Sequence, residues 1–120
     1  MIEEEIYSVL ANDPDLTSSN LGGIYHSTAP QGTELPYISF FCYADEPLNT
    51  FDGPNPTGNS FFQIEIFSNT AGEARDLITK VRAAMDGAET FVCLPGSRRG
   101  PYRVDPGYQH CRLEFSIWHN

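Results

Sequence analysis

At 120 residues, 40% of them hydrophobic, the chain predicts a single domain, 1–120, that buries about two thirds of its unfolded surface without staples. Its formal net charge of −9, with Arg98-Arg99 the only hint of a basic patch, excludes an ordinary nucleic-acid binder. No apolar run reaches membrane-spanning length. The opening Met1-Ile2-Glu3-Glu4-Glu5 is acidic where a secretory signal is basic, so a cytoplasmic chain that meets no membrane is expected.

Ile2, Ile6, Val9 and Leu10 recur at helical spacing, and Glu3, Glu4 and Glu5 suit a positive helix start, so the chain opens with a short amphipathic helix that Asp13-Pro14 stops. A polar connector, 17–23, leads to Ile24-Tyr25 and a Pro- and Gly-marked loop, 26–35. The run 37–43 is β-prone and apolar on both faces, as a central strand requires. Residues 46–59 contain Pro47, Gly53, Pro54, Pro56 and Gly58, which predicts an oversized irregular hairpin loop, neither helix nor central strand. Leu48 and Phe51 are apolar residues that a purely solvated loop does not need, and Asp52-Gly53 would turn at the tip.

The next block is the clearest in the chain. Phe62, Ile64 and Ile66 alternate with Gln63, Glu65 and Phe67, a strand with one buried face. Thr70 and Glu73 form a capping box for a helix carried by Ala74, Leu77, Ile78, Val81, Ala84 and Met85, and Gly87 stands where a left-handed cap would end it. Residues 90–94 predict a short strand, 95–101 a second breaker loop that carries Arg98 and Arg99, and 108–118 a long closing strand. The order α-β-β-α-β-β predicts an α+β fold: a largely antiparallel or mixed sheet of about four strands, with two helices packed on the face of Ile64, Ile66, Leu113 and Phe115. Phe61, Phe67, Tyr108 and Trp118 make the other face too aromatic to be wetted all over. It should be covered by another subunit or by loops of the same chain.

Chemistry is hard to find. No phosphate-binding or dinucleotide glycine pattern is present, so no cofactor is expected. Asp13-Pro14-Asp15-Leu16-Thr17 fits a phosphotransfer pattern only by letter, because a helix and not a buried parallel strand precedes it. His110 and Cys111 are strand neighbours pointing to opposite faces, His26 and His119 lack ligand spacing, and no metal is expected. Cys42, Cys93 and Cys111 are an odd count without CxxC spacing; Cys42 and Cys111 alternate with core residues and predict buried thiols. Asn55-Pro56-Thr57 fails as a glycosylation site because of its proline. An alternative class survives, a small cytoplasmic enzyme or ligand-binding domain whose pocket gathers distant residues such as His26, Asp52 and Tyr102. Charge is uneven: residues 1–74 hold 11 acidic residues and no Lys or Arg, whereas 75–120 hold 7 basic and 5 acidic ones.

Taken together, Ile6-Tyr7-Ser8-Val9-Leu10 with Asp13-Pro14, Ala29-Pro30-Gln31-Gly32 before Leu35-Pro36-Tyr37-Ile38, the Asp52-Gly53 step, Phe62 to Phe67 followed by Ala71-Gly72-Glu73-Ala74-Arg75-Asp76-Leu77, and the closing Arg112 to Trp118 resemble the tail-completion, or tail-terminator, proteins of long-tailed bacteriophages and prophages. The order and spacing of these ordinary segments carry the resemblance, nearly end to end. It implies a structural virion protein with no catalytic residues. The family forms a ring, usually of six copies, at the head-proximal end of the tail tube. That ring stops tube polymerisation and meets the head's connector. The partners implied are further copies of the chain, the tail tube protein and the head completion or connector protein. DNA passes through the lumen without specific binding, and the setting is the virion tail after assembly in the host cytoplasm. Leu48, Asn49, Thr50, Phe51, Asp52 and Gly53, with Arg98 and Arg99, are the expected interface.

Overall fold

Helix α1, Ile2–Ala11, turns Ile2, Ile6 and Leu10 into the core and keeps its acidic first turn at the helix's positive end. Asp13 then does two things. It follows the end of α1, and its carboxylate accepts the Leu16 amide at 3.1 Å, capping a short helix α2, Pro14–Thr17, in which Pro14 takes the first turn. The leading Asp of the phosphotransfer-like pattern is thus a helix cap. The computed structural model describes every residue except 1, 19, 20, 51, 52, 90, 105, 106 and 120, and of 46–50 and 53–57 it describes the backbone alone.

Five strands follow, β1 Ile24–His26, β2 Tyr37–Thr50, β3 Gly53–Ser68, β4 Val92–Val104 and β5 Tyr108–His119, with helix α3, Ala71–Asp86, between β3 and β4. The sheet order is β1-β2-β3-β5-β4, antiparallel except for the β1–β2 pair. This is the expected α+β fold with a mixed sheet, enlarged by β1 and α2, which are too short for a periodic signal. The predicted inner face is correct. Ile64 opposes Leu113 and Ile66 opposes Cys111, all four at most 1% exposed. Leu77, Ile78, Val81 and Met85 of α3 cover them. Thr70 caps α3 by accepting the Glu73 amide at 3.1 Å, but the Glu73 carboxylate reaches back to the Asn69 amide at 2.9 Å rather than to Thr70. Gly87 also departs from expectation. Its φ of −86° is not left-handed, and its amide bonds back to Ala83 and Met85 instead.

Two segments expected as loops are strands. Of residues 46–59, read as irregular, 46–50 lie on β2 and 53–59 on β3, and the β2–β3 pairing continues from Tyr37–Phe67 to Thr50–Gly53 with shifts between Cys42 and Ala44 and between Pro47 and Asn49. Strand β5 accompanies β3 only as far as the Gly58–His119 pair, so beyond it β2 and β3 continue as a two-stranded arm. A 120-residue globule should have a radius of gyration of about 13.6 Å; the chain has 15.0 Å and measures 53 × 27 × 24 Å, as a protruding arm requires. Prolines misled the reading because a proline costs nothing where its missing N–H would face outward from an edge. Residues 95–101 likewise belong to the edge strand β4, which adapts through register shifts between Pro95 and Arg98 and between Arg99 and Tyr102. Gly100, at φ +89°, is required there: a Cβ would sit 2.6 Å from the His110 carbonyl oxygen.

Candidate functional site

Alternation along β3 and β5 puts Phe67, His110, Glu65 and Arg112 on the sheet face that the helices leave uncovered. There Tyr37 stacks on Phe67 at 4.6 Å, Phe67 stacks on His110 at 4.6 Å, and Tyr108 leans on Phe67 at 5.9 Å. The Tyr102 hydroxyl and His110 Nδ1 are hydrogen-bonded at 2.7 Å, tying the edge strand to the cluster. His110 Nε2 lies 3.6 Å, and Arg112 Nη2 3.3 Å, from the same Glu65 oxygen. The nearby His110 imidazole holds the Glu65 carboxyl below the usual glutamate range, against the opposing pull of its own burial, and Arg112 adds to the lowering. Tyr43 and Tyr102 stay exposed on this face, as do the apolar Val92 and Leu94 of β4. The face is neither a wetted surface nor a finished core.

Because the Glu65 carboxyl is held low, it contributes stability that is complete above the ordinary glutamate range and is lost as pH falls through its lower folded value. Glu65→Gln should therefore flatten the acid limb of the stability curve while leaving its slope above neutral pH unchanged. Urea midpoints measured from pH 3 to pH 7 check this; parallel acid limbs in the two proteins would show that the pair contributes nothing.

The alternative pocket is not assembled. His26 ends β1 at one edge of the sheet, and Tyr102 lies on β4 at the other, four strand spacings or about 19 Å away. Asp52 lies outside the described residues. A serine, a histidine and an aspartate do meet at the base of the arm. Ser60 is hydrogen-bonded to the Asp45 carboxylate and, at 2.7 Å, to His119 Nε2. Here the serine stands in the middle and is 1% exposed, whereas nucleophilic catalysis needs the histidine between acid and serine and an open hydroxyl. The trio braces β2, β3 and β5 where the arm leaves the body, joined by Asn59, whose Nδ2 donates to Ser116 Oγ at 2.8 Å. Cys111 is buried in the core and Cys42 packs beside it; burial pushes the Cys93 thiol up to about 12. Among the described residues, no group of three His, Cys, Asp or Glu side chains could hold a metal.

Of the expected interface residues, Asn49, Thr50 and Gly53 lie on the paired backbone of the arm, Leu48 lies on β2 at the register shift between Pro47 and Asn49, and Phe51 and Asp52 lie outside the described residues. Arg98 and Arg99 are exposed on β4, but they are split: Arg98 pairs with Leu113, an inner-face residue, and Arg99 with Arg112 on the outer face. The sequence reading missed the Glu65–His110–Tyr102 cluster. Strand parity alone places Glu65, Phe67, His110 and Arg112 outward, but only the register brings Glu65 opposite Arg112 and Phe67 opposite His110.

This architecture, with one helix-covered face and one uncovered aromatic face, is that of a small α+β domain. The tail completion protein gp17 family matches residues 4–120, and the chain belongs to that family, which makes it a structural phage tail protein and not an enzyme. Among solved structures it is similar to a chain of the virion of a native gene transfer agent particle, at 18% identity and a TM-score of 0.69 over 94% of this chain and 90% of that one. It is also similar to the gp17 protein of bacteriophage SPP1, at 16% identity and a TM-score of 0.64 over 99% and 88%. These likenesses establish the shared fold. No curated protein sequence matches the chain.

Proposed function

We propose that six copies of this chain form a ring at the head-proximal end of a phage tail tube, where the ring stops tube polymerisation and joins the tail to the head connector. The observation that carries this reading is the family match across 4–120. The molecule suits the role in three respects. The uncovered aromatic face and exposed Val92 and Leu94 offer apolar surface for contacts with other chains. The two-stranded arm, with Leu48, Asn49, Thr50 and Gly53 on its backbone, projects to a neighbour or to the tube, and Phe51 and Asp52, outside the described residues, are proposed to share that contact on the sequence alone. The net charge of −9 lets DNA pass a lumen without adhering. Assembly takes place in the host cytoplasm and ends in the virion tail.

Native mass spectrometry of the full chain, alone and mixed with its tail tube protein, tests the proposal. A species of six subunits is expected in at least one condition. A chain that stays monomeric in both overturns the ring.

A further inference from the structure

We infer that Ser60 and His119 position the arm: a hydrogen-bonded line across three strands, from His119 through Ser60 to Asp45, sets the direction in which the arm leaves the body, and assembly depends on that direction. This deepens the ring reading and rests on it. The line crosses the sheet where support runs out. Asp45 opposes Ser60 across β2–β3, and His119 makes the last β3–β5 pair, with Gly58. Beyond that row the arm has no third strand, so its angle is decided at its base. Thr50, five residues beyond Asp45, is about 16 Å from the base at about 3.3 Å per residue, and it moves about 3 Å for each swing of about 10°.

The chain builds this line with a β-bulge. Cys42 opposes Phe62, Ala44 opposes Phe61 and Asp45 opposes Ser60, so Tyr43 is the extra residue. An unshifted strand would send Cys42 and Asp45 to opposite faces. The bulge instead puts both on the face of Phe62 and Ser60 and bends β2, and the Cys42 thiol donates to the Ala44 carbonyl across it at 3.3 Å. The donors then follow from counting protons. The Asp45 carboxylate only accepts, so the one Ser60 hydroxyl proton goes to it. His119 Nε2, 2.7 Å from Ser60 Oγ, must therefore donate, which fixes a proton on Nε2. Ser60 is 1% exposed and ends a row of core residues, Phe62, Ile64 and Ile66, on the same face of β3. An apolar side chain would fill that place, but a hydroxyl used as both donor and acceptor adds direction, which apolar packing lacks. On the opposite parity Asn59, 5% exposed, donates to Ser116 Oγ at 2.8 Å and to the Ile117 carbonyl at 3.2 Å. Strand β5 is thus stitched to β3 from two successive residues beside its last pair.

The test uses the full chain and reads the arm directly. In the wild-type monomer, residual dipolar couplings of the arm's backbone amides should fit the same alignment as those of the body. Ser60→Ala and His119→Phe should lose that fit in the arm while the body keeps it, which also verifies the fold. His119→Gln, whose amide can donate to Ser60 Oγ, should restore it. The concentration for half-assembly should rise about tenfold or more for Ser60→Ala and His119→Phe, and stay within about threefold of wild type for His119→Gln. Without any variant, nitrogen NMR of the neutral His119 ring should find its proton on Nε2. A proton on Nδ1, or an arm that keeps its couplings in both broken variants, overturns the line. Broken variants whose arm swings freely and that still assemble like the wild type overturn the need for a fixed angle and leave the ring standing. A wild-type chain that never assembles overturns both.

Discussion

Replacing residues 47–58 by an Asn-Gly turn between Glu46 and Asn59 is expected to leave the monomer folded and to abolish ring formation and tail capping. The fold should survive because the core residues among those described all lie outside the deleted segment, from Ile38 and Phe40 through Phe62 and Ile64 to Ile117. Glu46 and Asn59 already oppose each other across the hairpin, so a two-residue turn joins them at native register, and a shorter closure is entropically no harder. The brace of Asp45, Ser60 and His119 lies on the retained side. Assembly should fail because a two-stranded ribbon with no third strand is at best marginally stable alone, and under the proposed ring an arm that extends past the end of β5 would take its missing packing from another chain. Solution mass and tail length by electron microscopy are the measurements. Shortened protein that still assembles and still gives tails of normal length would make the arm an ornament.

What could be read from the sequence divides along physical lines. Where one face of an element meets a continuous core, the pattern is written in consecutive residues: Phe62, Ile64 and Ile66 alternate because α3 lies on that side, and Leu77, Ile78, Val81 and Met85 answer at helical spacing. Thr70 is legible for a related reason, since a cap acts on an amide three residues away; Asp13 reads from sequence only as a helix stop, because the helix that it caps is too short to signal itself. The arm and the part of β4 beyond Leu94 are not legible because strands that pair on one side, or beyond the body, tolerate Pro47, Pro54, Pro95 and Pro101, and those residues are read as punctuation. Side-chain clusters are least legible of all. Glu65 and His110 are 45 residues apart and Ser60 and His119 are 59 apart, so only the β3–β5 register can join them. Resemblance reached the family by another route, through the order of segments that are individually ordinary.

The same register governs how the body responds to loss of core. Leu113→Ala is expected to destabilise the monomer by about 2–5 kcal/mol, the range for a buried leucine whose site cannot fully collapse. Leu113 is 1% exposed, opposes Ile64 across β3–β5, and lies beneath α3, so its removal leaves a void walled by strand on one side and helix on the other. Neither wall moves easily. The strand is held between β3 and β4, and α3 is anchored by its Thr70 cap and by Val81 and Met85 on the same core. At about 4 °C per kcal/mol for a domain of this size, the midpoint of thermal unfolding should fall by about 8–20 °C. Tyr108→Ala on the uncovered face should move it far less, because that ring is only partly buried in the free subunit. Equal losses from the two substitutions would mean that the outer face is as much a core as the inner one, and that the aromatic face needs no second chain to cover it.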